Sequence, residues 1–401
     1  MIGHLLKLVW RRKRSTGLIL AEIFLSFLVV FLVATLGLYF AGNYRRPLGY
    51  DYSGVWMAQI DSNTDLEDKV EKSAYLRDLD RILREIRQMD QVEAAAPLNL
   101  VPYDNGRWTW TQDLEDGRAV SFDLNQAGEG LPEVLRFRLE RGRWFEDGDA
   151  ALGWHPVVVN ASLAAEIFGA EDPIGRRIPF KDWKEKEVRV VGIVSAFRKD
   201  GELSPSRNYF FQRAMLETLN AAPPRSLVLK VRAGTPAVFE EALVRRLQAL
   251  APSWTIETKT LEEMREAYLR KSLVPLALIG TVAGFLMLMV ALGLTGVLWQ
   301  NVTQRRQEIG LRRAVGAAAR RIHRQILMEL MLMTSLAVLL GLALVLQLPV
   351  LRLDMIRIGP GLMAAGAAVA AGLIYLLAAL CGWYPSWFAT RIHPVEALHY
   401  D

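Results

Sequence analysis

The sequence predicts a membrane protein with four transmembrane α-helices and an α+β domain outside the membrane. Three observations lead to this fold class. The 401-residue chain contains four apolar runs, each long enough to cross a bilayer, which takes about 20 helical residues. About 230 more polar residues separate the first run from the second, which is enough for one or two folded domains. A strongly basic segment separates the second run from the third.

The four apolar runs are predicted transmembrane helices. They lie at residues 17–41, 272–300, 326–350 and 360–388. The first run is about 25 residues long and leads into Tyr44, Arg45 and Arg46. A secretory signal has a shorter apolar core and a small-residue cleavage site, so the first run is expected to stay as a membrane anchor.

The distribution of Lys and Arg orients these helices. The N-terminal tail holds five such residues and residues 304–325 hold seven arginines, whereas the loop at residues 351–359 holds only Arg352 and Arg357. Cytoplasmic flanks carry the excess of positive charge. Residues 301–325 and both termini are therefore predicted inside, and residues 42–271 outside. Residues 1–16, which place apolar side chains beside a cationic cluster, are predicted to form an interfacial helix at the lipid headgroups.

The net charge of +5 conceals an asymmetry. Residues 42–271 hold 33 Lys and Arg against 37 Asp and Glu, a balance of −4, and the rest of the chain holds 15 against 6, a balance of +9. The basic character therefore reports topology and argues against nucleic-acid binding. The single cysteine, Cys381, lies in the fourth apolar run, so the outer domain cannot contain a disulfide.

The outer domain contains two β-α-β patterns with a long insert between them. The first covers residues 50–102, with a strand at 55–60, a helix at 71–89 and a strand at 92–101 broken by Pro97. The second covers residues 226–259, with a strand at 227–231, a helix from Thr235 to Leu250 and a strand at 254–258. This arrangement predicts a split ferredoxin-like subdomain. Residues 103–225 are predicted to form a β-rich inserted subdomain.

The pattern from Thr260 onward is helical and has no helix breaker before Pro275. A single helix is therefore expected to join the outer domain to the second transmembrane helix. That helix contains Gly280, Gly284 and Gly293, whose small size allows close contact between helices. The contact would lie either within one subunit or between two subunits.

The basic segment at residues 304–325 holds only one acidic residue, Glu308. Leu311, Val315 and Ile322 recur at roughly helical spacing, which predicts an amphipathic helix that packs against a cytosolic partner. The alternative is that the arginines only contact lipid headgroups and fix the topology. Glu22, inside the first run, is also open to two interpretations. It is either a functional buried carboxylate or a residue near the membrane boundary that reaches water or pairs with an arginine. Its position about one turn inside the run favours the second interpretation.

Motifs for catalysis and metal binding are absent from the sequence. It contains no G-x-x-x-x-G-K-[ST], H-E-x-x-H, C-x-x-C or G-x-S-x-G motif. His393 and His399 are not spaced to share one helical face, so no metal site is expected there. The sequence thus predicts a protein that is not itself an enzyme and that carries no cofactor.

Several ordered motifs together resemble one family. Residues 305–316 read RRQEIGLRRAVG, the run VVVNASLAAEIFGAEDPIGRR begins at Val157, and VRVVGIVSAF and PVEAL follow further along the chain. In this order, and with one anchor followed by a large outer domain and three clustered spans, the chain resembles the MacB-like and FtsX-like permeases of ABC transporters. The resemblance covers essentially the whole chain.

The resemblance implies a fold, a site and partners. The ferredoxin-like part would be a porter subdomain in the periplasm of a bacterium, and the chain would lie in the inner membrane. The positions that match the family's contact with the ATPase subunit are Arg305, Glu308, Leu311, Arg312, Arg313 and Gly316. ATP and magnesium would bind to that ATPase, expected as a separate chain because about 16 residues precede the first span. A second permease, identical or paralogous, a periplasmic adaptor and an outer-membrane channel are further expected partners.

The function implied is mechanotransmission, in which ATP hydrolysis changes the conformation of the outer domain to export antibiotics, peptides or lipoproteins. Two other hypotheses stay open. The same ATPase would drive the outer domain as a regulator of a cell-wall hydrolase or sensor kinase, or the protein would be a receptor or scaffold without an ATPase. The partner identified after purification from native membranes distinguishes the three.

Overall fold

The computed structural model describes residues 13–62, 68–181, 183, 187–214, 223–304, 311, 315, 318–347 and 359–389. The helices are α1 (Lys13–Tyr44), α2 (Lys69–Arg87), α3 (Leu131–Leu135), α4 (Ala161–Phe168), α5 (Phe239–Leu250), α6 (Leu261–Gln304), α7 (Ala319–Val345) and α8 (Pro360–Ala389), with a 3-10 helix at Asp147–Ala151. The strands are β1 (Val55–Asp61), β2 (Val92–Pro97), β3 (Thr109–Asp113), β4 (Ala119–Ala127), β5 (Leu139–Gly142), β6 (His155–Asn160), β7 (Val188–Val194), β8 (Tyr209–Arg213), β9 (Ser226–Val231) and β10 (Thr255–Thr260). The chain forms two compact units, residues 1–41 with 272–401 and residues 42–271.

Among the described residues, four helices are long and apolar enough to cross a membrane, which confirms the predicted number. Each of the segments Gly17–Tyr44, Leu261–Gln304, Arg320–Val345 and Pro360–Trp383 contains an apolar stretch of this length. Buried side chains from all four helices form one core, among them Phe27, Val290, Ala337 and Ala370. Small side chains such as alanine predominate on α8, which lets helices approach closely in a membrane.

Helix α6 is continuous from Leu261 to Gln304, as the sequence predicted for this junction. It passes through Pro275 without ending. At 1.5 Å per residue a helix of 44 residues is about 66 Å long, more than twice the thickness of a bilayer core. The first turns of α6, up to Lys271, lie in the second unit, and the later turns lie in the first unit.

The first sheet of the second unit has the strand order β10-β1-β9-β2, and every neighbouring pair is antiparallel. Helices α2 and α5 pack on one face of it, where their apolar sides meet Trp56, Ala58 and Leu229. Helix α2 begins after Asp68, whose carboxylate accepts hydrogen bonds from two backbone N–H groups of the first turn. Strand β2 ends at Pro97, which lacks the N–H group that would continue the ladder.

The second sheet is formed by the insert, and its strand order is β3-β4-β8-β6-β7-β5. The pairs β4–β8 and β6–β7 are parallel, and the other pairs are antiparallel. Helix α4 packs on one face through Leu163 and Ile167. On the other face of the second sheet, Phe211 shares a core with Val55 and Val228 of the first sheet. The two sheets of this unit are thereby joined through one apolar layer.

Two helices differ from the predictions. The helix expected from Thr235 begins at Phe239, because the backbone N–H groups of Thr235 and Phe239 bond to carbonyls three residues earlier and form turns there. The short helix α3 was not predicted; Pro132 lies in its first turn, where a missing N–H group is tolerated. Residues 1–12, 348–358 and 390–401 lie outside the described residues, and with them most of the predicted interfacial helix, the outer loop and the tail.

Candidate functional site

The predicted ATPase-docking positions fall almost entirely outside the described residues. Arg305, Glu308, Arg312, Arg313 and Gly316 are among those not described. Leu311 is described and is 57% exposed, and the neighbouring Val315 is 82% exposed. Two exposed apolar side chains here agree with a surface that a partner covers, but the docking residues stay a prediction.

The predicted packing glycines of α6 have three different surroundings. A Cβ atom at Gly280 would lie 3.9 Å from the Val33 side chain of α1. At Gly293 it would lie 2.9 Å from a carboxylate oxygen of Glu22, so the glycine leaves room for this acidic side chain. At Gly284 no described atom lies within 4 Å. Two of the three glycines therefore lie beside α1, and the third has no described atom close to it.

Two glycines that were not predicted as packing residues make closer helix contacts. A Cβ atom at Gly341 of α7 would overlap the Phe27 ring, and one at Gly366 of α8 would overlap the Thr35 hydroxyl. Phe27 and Thr35 both lie on α1, so two further helices approach it through glycines. Both glycines lie four residues from an alanine, Gly341 after Ala337 and Gly366 before Ala370, but this spacing is common in apolar runs and so does not single them out.

A loop in the second unit fastens the chain segments that adjoin the membrane helices. We call this loop, residues 198–204, the stalk clamp; it follows β7 and precedes β8. Arg198 is 2% exposed, and its guanidinium donates hydrogen bonds to the carbonyl oxygens of Asn43, at 3.0 Å, and Arg46, at 2.8 Å. Asn43 in turn donates from its side-chain amide to the Leu203 carbonyl at 3.0 Å. The end of α1 is thereby held by this loop.

The Arg198 charge is buried among carbonyl oxygens. Besides the two carbonyls after α1, it donates to those of Glu202, at 2.7 Å, and Ser204. Burial, with the nearby charge of Arg46, lowers the pKa of Arg198 from its ordinary value. Arginine stays protonated even so, because its ordinary pKa lies far above neutral pH. Losing this side chain would leave several buried carbonyls without donors, which is costly.

The same loop holds the first turns of α6. The Glu202 carboxylate, on a residue only 6% exposed, accepts a hydrogen bond from the Arg265 guanidinium. Burial opposes the charge on Arg265, but the contact with Glu202 outweighs it and raises the pKa of Arg265. One turn further, the Tyr268 and Ser204 hydroxyls are 2.8 Å apart. The Arg265 guanidinium also lies 4.9 Å above the Tyr52 ring, a cation–π contact.

Gly201 allows the stalk clamp to lie this close to its neighbours. Its φ angle of +80° is in the region that favours glycine. A Cβ atom there would also lie 2.7 Å from the Tyr103 ring and 2.9 Å from the Tyr268 ring. Both the backbone conformation and the space therefore require glycine at this position.

The contacts of the stalk clamp attach neighbouring chain segments to one another. Its charged groups contact backbone carbonyls or groups of opposite charge, although Arg198 Nε and Glu202 Oε2 are buried without a hydrogen-bond partner in the described part of the chain. Among the described residues no group of three or more His, Cys, Asp or Glu side chains could hold a metal ion. The sequence motif singled out in this region ends at Phe197, one residue before Arg198. The charged run RKDGE directly after a buried strand is the only signal in the sequence that marks the loop.

The sequence matches the profiles of two known domains. The profile of the MacB-like periplasmic core domain matches residues 16–246, and that of the FtsX-like permease C-terminal domain matches residues 280–394. A macrolide export ATP-binding/permease protein MacB of Bordetella avium is 25% identical over 70% of this chain and 43% of its own length. The ABC transporter permease YknZ of Bacillus subtilis is 24% identical over 69% of this chain and 70% of its own length. The chain thus spans less than half of that MacB protein.

Solved structures similar to this chain cover its outer domain. The periplasmic region of MacB from Actinobacillus actinomycetemcomitans aligns with 54% of this chain and 93% of its own, at 14% identity and a TM-score of 0.38. The extracellular domain of YknZ from Gram-positive bacteria aligns with 50% and 99%, at 13% identity and a TM-score of 0.34. The first profile alone covers more than half of the 401 residues. The chain belongs to the FtsX-like ABC transporter permeases that carry a MacB-like periplasmic core domain.

Proposed function

We propose that this chain is a non-catalytic permease subunit that couples ATP hydrolysis by an ATPase partner to a conformational change in residues 42–271. The observation that carries this proposal is the stalk clamp, which holds the end of α1 through Arg198 and the start of α6 through Glu202. Both of these helices continue into apolar, membrane-length segments. A movement of either helix would therefore displace the same loop.

The position of the loop explains how such a movement would spread. The stalk clamp connects β7 to β8, which flank β6 near the middle of the second sheet. Backbone hydrogen bonds join these three strands, so a displacement of the loop would move the sheet as a body. A stiff sheet with closely packed side chains transmits displacement better than a flexible loop does.

The proposal includes an orientation in which the basic segment and both termini lie in the cytoplasm. An ATPase would then contact the segment at residues 305–316, and residues 42–271 would lie in the periplasm. We interpret the antiparallel order β10-β1-β9-β2 with two helices on one face as a split ferredoxin-like porter subdomain. One relative is named for macrolide export, so export of small amphipathic molecules, with an adaptor and an outer-membrane channel, is the first activity to test.

The test combines partner capture with amide hydrogen exchange on the full chain in its native membrane. The variant Glu308→Lys with Arg312→Glu reverses the charges of two predicted docking residues. Its matched control is Glu241→Lys with Arg245→Glu, an exposed pair on α5 with the same four-residue spacing. We expect the docking variant to lose the co-purified ATPase and the control to retain it.

Hydrogen exchange then tests the coupling. In the captured complex, ATP is expected to change the exchange of residues 198–204 and 261–271, and the docking variant should lose this change. Capture that is equal in both variants would overturn the docking assignment. An intact complex in which ATP leaves exchange in residues 42–271 unchanged would overturn the coupling.

A further inference from the structure

The outer domain contains a cleft of about 580 Å³ beside the first turns of α6. Its floor is the face of the first sheet where Met57 pairs with Lys259 and Gln59 pairs with Ser226. Directly paired residues of antiparallel strands point to the same face. One wall is the loop after β2, and the other is α6. The volume is within the range of small-molecule binding sites, about 300–1,000 Å³.

Five charged side chains line the cleft, and three of them have partners within the protein. The Lys259 amine pairs with Glu257 at 2.7 Å, and the Lys271 amine donates to the Asn105 side chain at 3.0 Å. The Glu263 carboxylate accepts a hydrogen bond from the backbone N–H of Thr260 at 3.0 Å. These three groups complete contacts inside the fold.

The other two charges have no such contact. Among the described residues, neither the exposed Arg225 guanidinium nor the Asp104 carboxylate forms an ion pair or a side-chain hydrogen bond. The Arg225 and Asp104 backbones are fixed, since the Arg225 carbonyl accepts from Ile60 and the Asp104 carbonyl accepts from the Lys199 amine. One positive and one negative group thus line the cleft, and in the part of the chain that the structure describes neither has a partner.

A buried donor lies at the same cleft. The side-chain NH₂ group of Asn99 is buried and has no acceptor among the described residues. A buried donor without an acceptor is costly, and a turn of the Asn99 side chain into the cleft would let a ligand oxygen accept its hydrogen bond. Leu100 and Met264 supply apolar surface beside it. The cleft therefore offers an anion-binding group, a cation-binding group, a donor and an apolar lining.

We propose that this cleft binds a small zwitterionic molecule. Its anionic group would contact Arg225, its cationic group would contact Asp104, and an oxygen acceptor between them would receive the Asn99 hydrogen bond. Its apolar body would pack on Met264. The inference is independent of ATPase coupling, because it concerns binding to the outer domain alone.

The bound molecule would lie against the helix that continues into the membrane. Tyr268 lines the cleft, and its hydroxyl is 2.8 Å from that of Ser204 in the stalk clamp. A ligand in the cleft would therefore alter the contact between α6 and the stalk clamp. This places the site where a ligand can bias the position of α6.

The experiment measures protection of a cysteine in the cleft, on the full chain in lipid nanodiscs. Cys381→Ser removes the native thiol, and Ala267→Cys places a reporter on the cleft side of α6. The probe is leucyl-leucine, a zwitterion with one amide carbonyl. It is compared with its N-acetyl derivative, which lacks the positive charge, and its C-terminal amide, which lacks the negative charge. The control reporter is Glu266→Cys, an exposed position that does not line the cleft.

We expect leucyl-leucine to slow maleimide labelling of Ala267→Cys with saturation. Each derivative should bind up to about fivefold more weakly, because a contact with an exposed charge contributes at most about 1 kcal/mol. Arg225→Gln should abolish the preference over the C-terminal amide, and Asp104→Asn the preference over the N-acetyl form. The exposed control Arg245→Gln should change neither preference. Absence of protection, equal protection by all three probes, or equal protection of Glu266→Cys would overturn the proposal.

Discussion

The Glu202 carboxylate accepts a hydrogen bond from the Arg265 guanidinium, and this contact joins the stalk clamp to the first turns of α6. The carboxylate side chain is 8% exposed and the arginine side chain 21%. Removing one partner of such a pair leaves a buried charge uncompensated, which is more costly than the pair itself is stabilising. The contact is therefore a point where the attachment of α6 can be weakened selectively.

The first prediction follows from this pair. Arg265→Met should raise the hydrogen-exchange rates of residues 261–271 by about 100-fold, because an unpaired buried carboxylate costs about 3 kcal/mol. Arg270→Met is the matched control; Arg270 pairs with Glu266 at 3.7 Å, and both side chains are largely exposed. It should change exchange by less than about fivefold, as surface pairs contribute at most about 1 kcal/mol. Equal effects of the two variants would contradict the assignment.

The second prediction concerns Gly201, where two requirements for glycine coincide. Gly201→Ala should lower the free energy of unfolding of residues 42–271 through the strained φ angle and through overlap with the Tyr103 and Tyr268 rings. Gly234→Ala separates the two effects, since Gly234 has a φ of +84° but no atom within 4 Å of a Cβ position. We expect the Gly201 variant to lose about 1–3 kcal/mol more than the Gly234 variant. Chemical denaturation monitored by tryptophan fluorescence measures the free energy of unfolding of both variants. Equal losses would show that the Tyr103 and Tyr268 rings move aside without cost, which would contradict the prediction.

Elements with a strong periodic pattern were predictable from the sequence. The apolar face of α2, with Leu79, Ile82 and Ile86, is fully buried on the first sheet, because helical periodicity and burial are set by the same spacing. Pro97 ends β2 as expected, because the effect of proline is local. The predicted start of α5 was four residues too early. Residues around Pro236 are compatible both with a turn and with the first turn of a helix, so the sequence does not fix where the helix begins.

The stalk clamp was not predictable by the same reasoning. Arg198 and Lys199 are charged residues after a strand, a pattern that indicates an exposed turn, yet both are almost fully buried. Besides the nearby carbonyls of Glu202 and Ser204, their acceptors include backbone carbonyls 155 and 95 positions away along the chain, at Asn43 and Asp104. Backbone carbonyls have no sequence signature, so only the folded topology brings them to these side chains.

The third prediction concerns acid stability. Asp149 is buried in the 3-10 helix and accepts two hydrogen bonds from Arg143, at 2.5 and 2.9 Å. Burial alone would raise the pKa of Asp149, but the Arg143 contact and the backbone N–H of Glu146 outweigh it, so its pKa lies below the ordinary 3.8. A carboxyl group with a lowered pKa in the folded state stabilises the fold above its unfolded value. That contribution is lost as the pH falls through the folded value.

Asp149→Asn should therefore cost about 2 kcal/mol at neutral pH, and the difference from the wild type should shrink as the pH falls below 3.8. Asp147→Asn, at an exposed position of the same 3-10 helix, should change stability by less than about 0.5 kcal/mol. Thermal unfolding of the full chain across this pH range provides the measurement. A constant difference between wild type and Asp149→Asn at every pH would contradict the role of ionisation.

The last prediction concerns the contact between α1 and α8. A Cβ atom at Gly366 would overlap the Thr35 hydroxyl and lie 3.1 Å from the Thr35 Cα atom, so a rotamer change cannot relieve the contact. Gly366→Ala should therefore push the two helices apart and destabilise the membrane unit by about 1–3 kcal/mol. Gly372→Ala, on the same helix with no described atom within 4 Å, should be neutral or stabilising by up to about 1 kcal/mol, because alanine favours a helix. The fraction of detergent-solubilised protein that stays monodisperse after heating ranks the variants. If Gly366→Ala ranked with Gly372→Ala, the close approach of α1 and α8 would be wrong.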